Sequence, residues 1–332
     1  MSIINEIEIK NFKSIRHQKI EGCKRINVFV GPPNVGKSNI LEAMCIPIAD
    51  QFRENEKSLN DLFRMERSSD LFYENNDSEP AEITINANCR FDIHNRNGTV
   101  EGLAHRHYAP TERDPSPVFF IKKYLFRNDV VYNSNASYWN LEYPFGNNLP
   151  GILSFNSSLT RLVSELLNKS NIDLLIDNEL SASQGMDGKV IGRILLIKVV
   201  GDRVKLKIPY ALVADTLRRL IFYLAAIYSN KNSILLLEEP EAHMYPPYIS
   251  KFTSEIIRDK NNNQFFMATH SPFVLNDFME NAKDDLAIYL VDYKKETGET
   301  IINKMSDEDM HEAYQFGYDF FLNIKQFLPQ ST

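Results

Sequence analysis

Hydrophobic and polar positions along the chain follow two periods, that of a strand and that of a helix. Apolar residues at every second position predict strands over residues 7–15, with a bend at Asn11, and over residues 82–93. The apolar run 25–30 predicts a buried strand that ends at a glycine, and helical spacing follows over residues 38–49. The first module is therefore predicted to be a strand, a glycine-containing loop and a helix.

The carboxyl-terminal part of the chain shows strand and helix patterns in turn. Its predicted elements are a hairpin over 194–200 and 204–208, strands over 233–237, 265–268 and 286–291, and helices over 212–228, 249–258 and 308–327. This alternation is typical of an α/β fold with an open, mostly parallel sheet. The half-exposed strand pattern near residue 85 indicates an antiparallel β subdomain in addition.

Between these two parts, the chain is rich in proline and turn residues. One amphipathic helix is predicted there by apolar residues at helical spacing, namely Leu159, Leu162, Val163, Leu166 and Leu167. The pattern is too short for a coiled-coil arm, which needs several heptads. We therefore predict one α/β domain from residues 1–95 and 191–332, with residues 96–190 as an inserted helical and irregular lobe.

The chain is acidic, with 37 Lys and Arg residues against 44 Asp and Glu residues and a net charge of -7. Because a negative field repels phosphates, binding of nucleic acid is possible only at a local basic patch and is not indicated by the charge. No apolar run approaches the roughly 18 residues of a membrane span, and the amino end lacks a signal-peptide pattern. We expect a cytoplasmic protein with no membrane contact.

Nine aromatic residues lie between residues 119 and 145, and Lys122, Lys123 and Arg127 are interleaved with them. Rings and cations in this arrangement could bind a partner protein or a nucleic acid. They could equally form the core of the inserted lobe. The sequence leaves both interpretations open, and its acidic balance favours a protein over a nucleic acid as the partner.

Residues 31–38, GPPNVGKS, satisfy the pattern G-x-x-x-x-G-K-[S/T] of a nucleotide-binding phosphate loop. Glycine lets the backbone approach a phosphate, and N–H groups at the start of the next helix point toward its oxygens. Lys37 is expected to bridge the β- and γ-phosphates of a nucleoside triphosphate, and the Ser38 hydroxyl to hold Mg²⁺. The loop alone does not say which nucleotide is bound. The predicted nucleotide-binding residues are Gly31, Pro32, Pro33, Asn34, Val35, Gly36, Lys37, Ser38 and Asn39.

Two adjacent carboxylates, Glu238 and Glu239, end a strongly apolar strand pattern. Paired charge at the end of a buried strand is costly unless a cation lies there. We predict that Glu238 contacts Mg²⁺ through water and that Glu239 is the catalytic residue that polarises the attacking water. His270 ends the next predicted strand, and neighbouring parallel strands end at one edge of a sheet, so we predict it beside the γ-phosphate.

Together, these segments resemble the head of an ABC-class ATPase of the SMC, RecF and OLD group. The matching stretches, in the order typical of that family, are IEIKNFKSI, GPPNVGKSNILEAM, LNDLFR with SDLFYENN and AEITI, LLLEEPEAHMYP and ATHSPFVLN. The resemblance implies a P-loop NTPase fold with an ABC-type head over 1–95 and 191–332. It also implies ATP and Mg²⁺ as cofactors, Glu239 as the catalytic glutamate and His270 as the switch histidine.

The resemblance further implies a homodimer or higher homo-oligomer, in which the phosphate loop of one copy faces a signature segment of another. The candidate residues of that segment are Ala214, Asp215, Thr216 and Arg218. Relatives carry Ser or Gly where this chain has Val213, Ala214 and Thr216. Because small residues let backbone N–H groups reach the opposing γ-phosphate, we expect hydrolysis of ATP to be slow here.

Stand-alone members of this group are common in bacterial antiphage systems, and their nuclease relatives carry a Toprim domain after the head. Too few residues follow His270 for such a domain, so we do not expect this chain to be a nuclease. We predict an ATP-driven switch that regulates a separately encoded effector, a nuclease or a toxin. Two alternatives remain open: a non-hydrolysing scaffold clamped by nucleotide, and a RecF-like DNA-repair clamp.

Overall fold

The computed structural model describes residues 4–49, 52, 58–87, 89–96, 98–103, 120–132, 139–168, 172–177, 193–200 and 203–316. The strands within these residues are β1 (Glu6–Phe12), β2 (Ile15–Glu21), β3 (Ile26–Val30), β4 (Ala81–Ile85), β5 (Cys89–Arg96), β6 (Thr99–Leu103), β7 (Ile121–Tyr124), β8 (Ile172–Asp177), β9 (Arg193–Val200), β10 (Arg203–Pro209), β11 (Ile234–Glu238), β12 (Gln264–Ala268), β13 (Leu286–Tyr293) and β14 (Thr300–Lys304). The helices are α1 (Lys37–Ala43), α2 (Leu149–Phe155), α3 (Ser157–Asn168), α4 (Asp215–Ser229), α5 (Pro246–Ile257), α6 (Pro272–Asn281) and α7 (Asp307–Phe316). Residues 317–327 of the last predicted helix lie outside the described part of the chain.

The chain forms two compact units. The first unit comprises Met1–Lys123, Asn232–Glu239 and Gln264–Thr332, and the second comprises Tyr124–Lys231 and Pro240–Asn263. The predicted division into residues 1–95 with 191–332 and an inserted lobe over 96–190 stays a prediction. The two compact units show which residues contact one another, whereas the prediction concerns which segment is inserted into the domain.

A six-stranded sheet forms the centre of the first unit, in the order β14-β13-β3-β12-β11-β7. β3 is parallel to both β12 and β13, and β11 is parallel to β12. Every residue of β3 and of β12 is buried, as expected for parallel strands covered on both faces. Complete burial of a side chain such as Phe266 contributes about 1.5–3 kcal/mol to folding. The predicted open, mostly parallel α/β sheet is confirmed.

The first unit also contains an antiparallel sheet in the order β2-β1-β4-β5-β6, which confirms the predicted β subdomain. The prediction of a single bent strand over residues 7–15 is wrong, because the chain reverses after Phe12. Lys13 has a φ of 50°, and Phe12 pairs with Ile15 across the resulting turn. A left-handed residue at a short turn matches the twist of the two strands that it joins.

The strand predicted over residues 82–93 is likewise a hairpin, made by β4 and β5. Asn86 and Ala87 have φ values of 51° and 58° and form the turn between the two strands. Apolar residues alternate with the same period before and after such a turn, so the period alone does not reveal the reversal.

The second unit contains α2 to α5 and a three-stranded antiparallel sheet in the order β10-β9-β8. The predicted hairpin is confirmed as β9 paired with β10. The predicted amphipathic helix is α3, whose buried residues are Leu159, Val163, Leu166 and Leu167. α4 is buried at every position from Leu220 to Ile227. Neither α4 nor any other helix of the described residues is long and apolar enough to cross a lipid bilayer.

The aromatic residues between 119 and 145 divide between core and surface. Tyr124 and Phe126 pack edge-on against Phe222 of α4, with ring centroids 6.1 and 5.8 Å away. Tyr124 is buried and belongs to the core of the second unit, whereas Phe126 is half-buried at its edge. Trp139 is 86% exposed, and Tyr138 lies outside the described residues.

Candidate functional site

Three neighbouring parallel strands end at the same edge of the six-stranded sheet. Ala268 of β12 pairs with Glu238 of β11 on one side and with Phe29 of β3 on the other. The phosphate loop, Glu239 and His270 each follow one of these strands in the chain. Within the first unit, the structure therefore brings together the pieces that the sequence analysis had placed at one sheet edge.

Two glycines of the phosphate loop, residues 31–38, are required by the packing around them. A Cβ at Gly31 would lie 2.1 Å from the carbonyl oxygen of Val291. Gly36 has a φ of 99°, and a Cβ there would lie 2.2 Å from Thr300 Oγ1. No side chain fits at either position, so the path of the loop depends on glycine.

The Lys37 ammonium lies over its own loop, where it donates to the carbonyl oxygens of Gly31 and Pro32 at 2.9 and 2.6 Å. Burial lowers the pKa of Lys37 to about 8, and the charge of Glu239 acts in the opposite direction. A desolvated ammonium held by neutral carbonyls forms stronger, charge-assisted bonds when phosphate oxygens come within reach. The other predicted loop residues are Pro33 and Asn34, which are exposed, Val35, which is buried, and Ser38 and Asn39, which are half-buried.

A chain of hydrogen bonds from outside the motif braces the loop. Asn39 Nδ2 donates to Ser14 Oγ at 2.7 Å, and Ser14 Oγ lies 2.7 Å from Thr300 Oγ1. Thr300 Oγ1 in turn donates to the carbonyl oxygen of Val35 at 2.8 Å. The sequence analysis missed Ser14 and Thr300, since a single hydroxyl residue leaves no pattern.

Glu239 and His270 face each other at the sheet edge, with His270 Nε2 3.4 Å from Glu239 Oε1. Partial burial, followed by the charge of Lys37, lowers the pKa of His270, while Glu239 acts in the opposite direction. The imidazole is therefore neutral at pH 7 and keeps one nitrogen free of a proton. Glu239 has a φ of 41°, which is a strained conformation of the kind that collects at functional sites.

Glu238 has a different environment from Glu239, since its side chain is only 14% exposed. Its Oε1 accepts a hydrogen bond from Arg64 Nη2 at 2.9 Å, and Arg64 Nε donates to Glu42 Oε1 at 2.9 Å. Glu42 is wholly buried in α1 and is also bonded to the Lys13 ammonium. Lys123 Nζ lies 4.0 Å from Glu42 Oε1. We call these five residues the Glu42 cluster.

Burial by itself would raise the pKa of Glu42. The charges of Lys123 and Lys13 and the hydrogen bonds from Lys13 and Arg64 nevertheless hold this pKa below its ordinary value. The sequence analysis missed Glu42 and Arg64 as site residues. The available signal was a charged residue among the apolar positions of the predicted helix 38–49.

The predicted signature residues lie together at the start of α4, in the second unit. Ala214 is the residue before the helix and Asp215 is its first residue. Thr216 Oγ1 donates to the carbonyl oxygen of His243 at 2.6 Å. The role of these residues toward a second copy stays a prediction.

Arg218, also predicted for the signature segment, forms a mostly buried group with its neighbour Arg219. The two guanidinium groups lie 3.5 and 3.6 Å from the Asp215 carboxylate, and 12% and 16% of their side chains are exposed. Both also lie over the ring of Phe126, at 5.9 and 4.8 Å from its centroid. We call Asp215, Arg218 and Arg219 the Asp215 cluster.

The side chains at the edge of the first unit suit a triphosphate with a divalent cation. The Lys37 ammonium is a point charge for phosphate oxygens, and hydroxyl and carboxylate oxygens such as those of Ser38 and Glu238 are the ligands that Mg²⁺ prefers. Fold and donor chemistry together define a P-loop NTPase of the ABC type. The roles of the individual residues stay predictions.

Comparison with known families agrees with this class. Residues 2–183 match the family described as "AAA ATPase domain", and residues 148–276 match the one described as "AAA domain, putative AbiEii toxin, Type IV TA system". Because the first match spans more than half of the chain, the chain belongs to the AAA ATPase domain family.

Two curated proteins are similar in sequence. An ATP/GTP phosphatase of Helicobacter pylori is 21% identical over 319 residues, which cover 81% of this chain and 85% of that protein. The uncharacterized protein MJECL10 of Methanocaldococcus jannaschii is 35% identical over 91 residues, which cover 25% of this chain and 41% of that protein.

Solved structures of SMC heads share the fold. An SMC head bound to the C-terminal winged-helix domain of ScpA superposes with a TM-score of 0.57 at 17% identity, over 94% of this chain and 100% of that chain. An SMC head with an extended coiled coil, bound to the C-terminal domain of ScpA derived from Pyrococcus furiosus, gives 0.57 at 15% identity, over 95% and 99%. The predicted ABC-type head fold is confirmed.

Proposed function

We propose that this protein is an ATP-binding and ATP-hydrolysing molecular switch that assembles on ATP and regulates a separately encoded effector. The observation that carries the proposal is the sheet edge in the first unit, where the phosphate loop, Glu239 and His270 follow adjacent parallel strands. The similarity to an ATP/GTP phosphatase supports hydrolysis as the reaction. ATP with Mg²⁺ is the proposed ligand.

In this proposal, Lys37 and the loop backbone bind the phosphates. Ser38 would hold Mg²⁺ through its hydroxyl and Glu238 through water, and the ion would neutralise charge on the phosphate oxygens. Glu239 takes the role of general base toward a water molecule. His270, at 3.4 Å from Glu239, is neutral at pH 7 and accepts or donates a hydrogen bond at that water or at the γ-phosphate.

We further propose a homodimer or higher homo-oligomer in which Ala214, Asp215, Thr216 and Arg218 of one copy face the phosphates held by another. Binding energy drives this assembly, because ATP gains contacts only in the paired state. Since Val213, Ala214 and Thr216 stand where relatives have Ser or Gly, we propose a turnover below the ordinary range of about 1–10³ per second.

The proposed biological setting is antiphage defence. The match of residues 148–276 to a family described in terms of the AbiEii toxin and type IV toxin–antitoxin systems supports this setting. Complexes of SMC heads with ScpA support the use of this fold to bind a partner protein. The effector that we propose is a nuclease or a toxin encoded separately.

Equilibrium binding of labelled ATP tests the central claim. Lys37→Ala removes the ammonium over the loop, so we expect ATP affinity to fall by at least about tenfold, the loss of one charge-assisted contact. Lys260→Ala, which changes an exposed lysine of the second unit, is the matched control and should bind as the wild type does. Equal affinity in both variants would remove the proposal.

Native mass measurement with and without ATP tests the assembly. We expect one copy without nucleotide and at least two with it, and the same mass in both conditions would contradict the proposal.

Plaque counts in bacteria that carry this gene with its neighbouring genes test the defence setting. Protection should be lost with Lys37→Ala and kept with Lys260→Ala.

A non-hydrolysing scaffold is the second candidate, and the side chains at Val213, Ala214 and Thr216 favour it. Single-turnover hydrolysis separates the two candidates. Under the switch proposal Glu239→Gln abolishes turnover, whereas under the scaffold proposal the wild-type protein already shows none.

A further inference from the structure

The Glu42 cluster joins the phosphate-loop helix to the acidic strand end of the first unit. Glu42 lies on α1, five residues after Lys37, and is wholly buried. Glu238 ends β11, directly before Glu239. Arg64 connects the two carboxylates, with 2.9 Å from Nε to Glu42 Oε1 and 2.9 Å from Nη2 to Glu238 Oε1.

The backbone of Arg64 is held at the same place as its side chain. Its N–H donates to Glu42 Oε2 at 3.1 Å, and its carbonyl oxygen accepts from the Lys13 ammonium at 2.7 Å. Glu42 therefore accepts hydrogen bonds from both the backbone N–H and the guanidinium of Arg64. Although 63% of the Arg64 side chain is exposed, its position is determined by a buried anchor.

The charges of the cluster are unequal. Lys13, Arg64 and Lys123 carry three positive charges around the single carboxylate of Glu42, and Lys123 is itself buried. Glu238 supplies the second carboxylate that this excess attracts. Because the guanidinium is already satisfied on one side by Glu42, its second donor edge is directed at Glu238.

We propose that Arg64, anchored by Glu42, is a positioning residue that occupies Glu238 and thereby sets the affinity of the site for its divalent cation. The inference rests on the proposed function of Glu238 as a carboxylate that contacts the cation through water. A guanidinium on a carboxylate oxygen competes with a cation for the same negative charge. Arg64 therefore weakens cation binding until nucleotide adds the negative charge of its phosphates.

Removal of this competition has a predictable sign. The Arg64 side chain is 63% exposed, so solvent screens its pair with Glu238 and the coupling is about 0.2–1 kcal/mol. Arg64→Ala should therefore tighten cation binding by up to about fivefold. The affinity for ATP without metal should stay unchanged, because Arg64 makes no hydrogen bond or ion pair with the phosphate loop among the described residues. Arg64→Lys keeps the positive charge, but a single ammonium does not bond Glu42 and Glu238 at the same time as the guanidinium does. The cation affinity of Arg64→Lys should therefore lie nearer to that of Arg64→Ala than to that of the wild type.

Titration of the full-length protein with Mn²⁺, followed by the electron paramagnetic resonance signal of the free ion, measures this affinity without reference to activity. The titration is run without nucleotide and with ADP, and the Mg²⁺ concentration for half-maximal hydrolysis is a second readout. Arg67→Ala is the matched control. Arg67 is 75% exposed, and its guanidinium pairs with Asp70, three positions along the chain, at 3.4 Å, so its variant should match the wild type.

Wild-type Mn²⁺ affinity in Arg64→Ala or in Arg64→Lys overturns the inference, as does an equal gain in Arg67→Ala. Glu238→Gln distinguishes the inference from the proposal on which it rests. If Glu238→Gln leaves Mn²⁺ affinity unchanged, the proposed metal role of Glu238 fails. If Glu238→Gln weakens Mn²⁺ binding while the Arg64 variants equal the wild type, only the role of Arg64 fails.

Discussion

The Glu42 cluster in the first unit and the Asp215 cluster in the second pair arginines with carboxylates in opposite ways. In the first, Arg64 reaches both of its carboxylates at hydrogen-bonding distance. In the second, the two arginines approach Asp215 only to 3.5 and 3.6 Å. Oδ1 of Asp215 and the Nε atoms of Arg218 and Arg219 are buried without a hydrogen bond among the described residues.

The Glu42 cluster is a completed hydrogen-bond network. The Asp215 cluster has spare hydrogen-bonding capacity, because the buried polar atoms named above have no hydrogen bond among the described residues. A satisfied buried network fixes a single arrangement of its members, as at the sheet edge that holds Glu238. Buried donors without acceptors are costly, and an acceptor from outside the chain would relieve that cost. The comparison supports our proposal that the first unit prepares the reaction and that the second unit meets a ligand held by another copy.

The largest expected effect is on the reaction itself. Glu239→Gln removes the proposed general base, so single-turnover hydrolysis of ATP should fall by about 10²–10⁴-fold, while ATP affinity stays within about twofold. Glu280→Gln, an exposed position on α6 of the same unit, is the control and should leave both values unchanged. Retained turnover in Glu239→Gln would show that ATP is not hydrolysed at this sheet edge.

The second prediction concerns the stability of the completed network. Glu42→Gln leaves Lys13, Arg64 and Lys123 without their central anion, so the free energy of unfolding at pH 7 should fall by about 3–5 kcal/mol. Denaturant titration measures it, with the exposed Glu165→Gln as a control expected to change by less than about 0.5 kcal/mol. A loss of under 1 kcal/mol in Glu42→Gln would mean that the cluster is not a completed network.

The pH dependence of that loss sharpens the second prediction. The pKa of Glu42 is lowered on folding, so its carboxylate stabilises the protein above the pKa of the unfolded chain, near 4.5. The contribution disappears as the pH falls through the lower pKa of the folded state. The wild type and Glu42→Gln should therefore differ most at neutral pH and converge in acid, and a constant difference would contradict the assignment.

A smaller effect is expected at the Asp215 cluster. Arg218→Ala should weaken ATP-dependent assembly by about tenfold or 1.4 kcal/mol. The stability of the single copy should fall by less than in Glu42→Gln, because Arg219 still pairs with Asp215 and the variant removes a buried Nε that has no hydrogen bond among the described residues. Analytical ultracentrifugation with ATP measures the assembly. Arg161→Ala, at an 80% exposed position of the same unit, serves as the control and should assemble as the wild type does.

The smallest effect is expected at Thr216. Thr216→Val removes the hydrogen bond to the His243 carbonyl and should cost about 0.5–1.5 kcal/mol of stability. Thr216→Ser keeps a hydroxyl and should retain most of that amount in the same thermal-unfolding measurement. A loss in Thr216→Ser with none in Thr216→Val would show that packing of the methyl group, rather than the hydrogen bond, matters here, because Val keeps that methyl group.

Local patterns predicted the parts of the site that are continuous in the chain. The apolar run before the phosphate loop became β3, and the acidic strand end became β11 followed by Glu239. The reversals after Phe12 and after Ile85 were not predictable from period, because alternation continues through a short turn.

The amino-acid sequence by itself determined the phosphate loop, the strand ends that carry Glu239 and His270, and the family to which the chain belongs. Each depends on residue types at fixed short spacing. Only the tertiary structure decided that Arg64 bridges Glu42, 22 positions away, and Glu238, 174 positions away. It also decided that Ser14 meets Thr300, 286 positions along the chain. Hydrogen bonds and ion pairs act over a few ångströms, and packing of the sheets, rather than order along the chain, brings such groups within that distance.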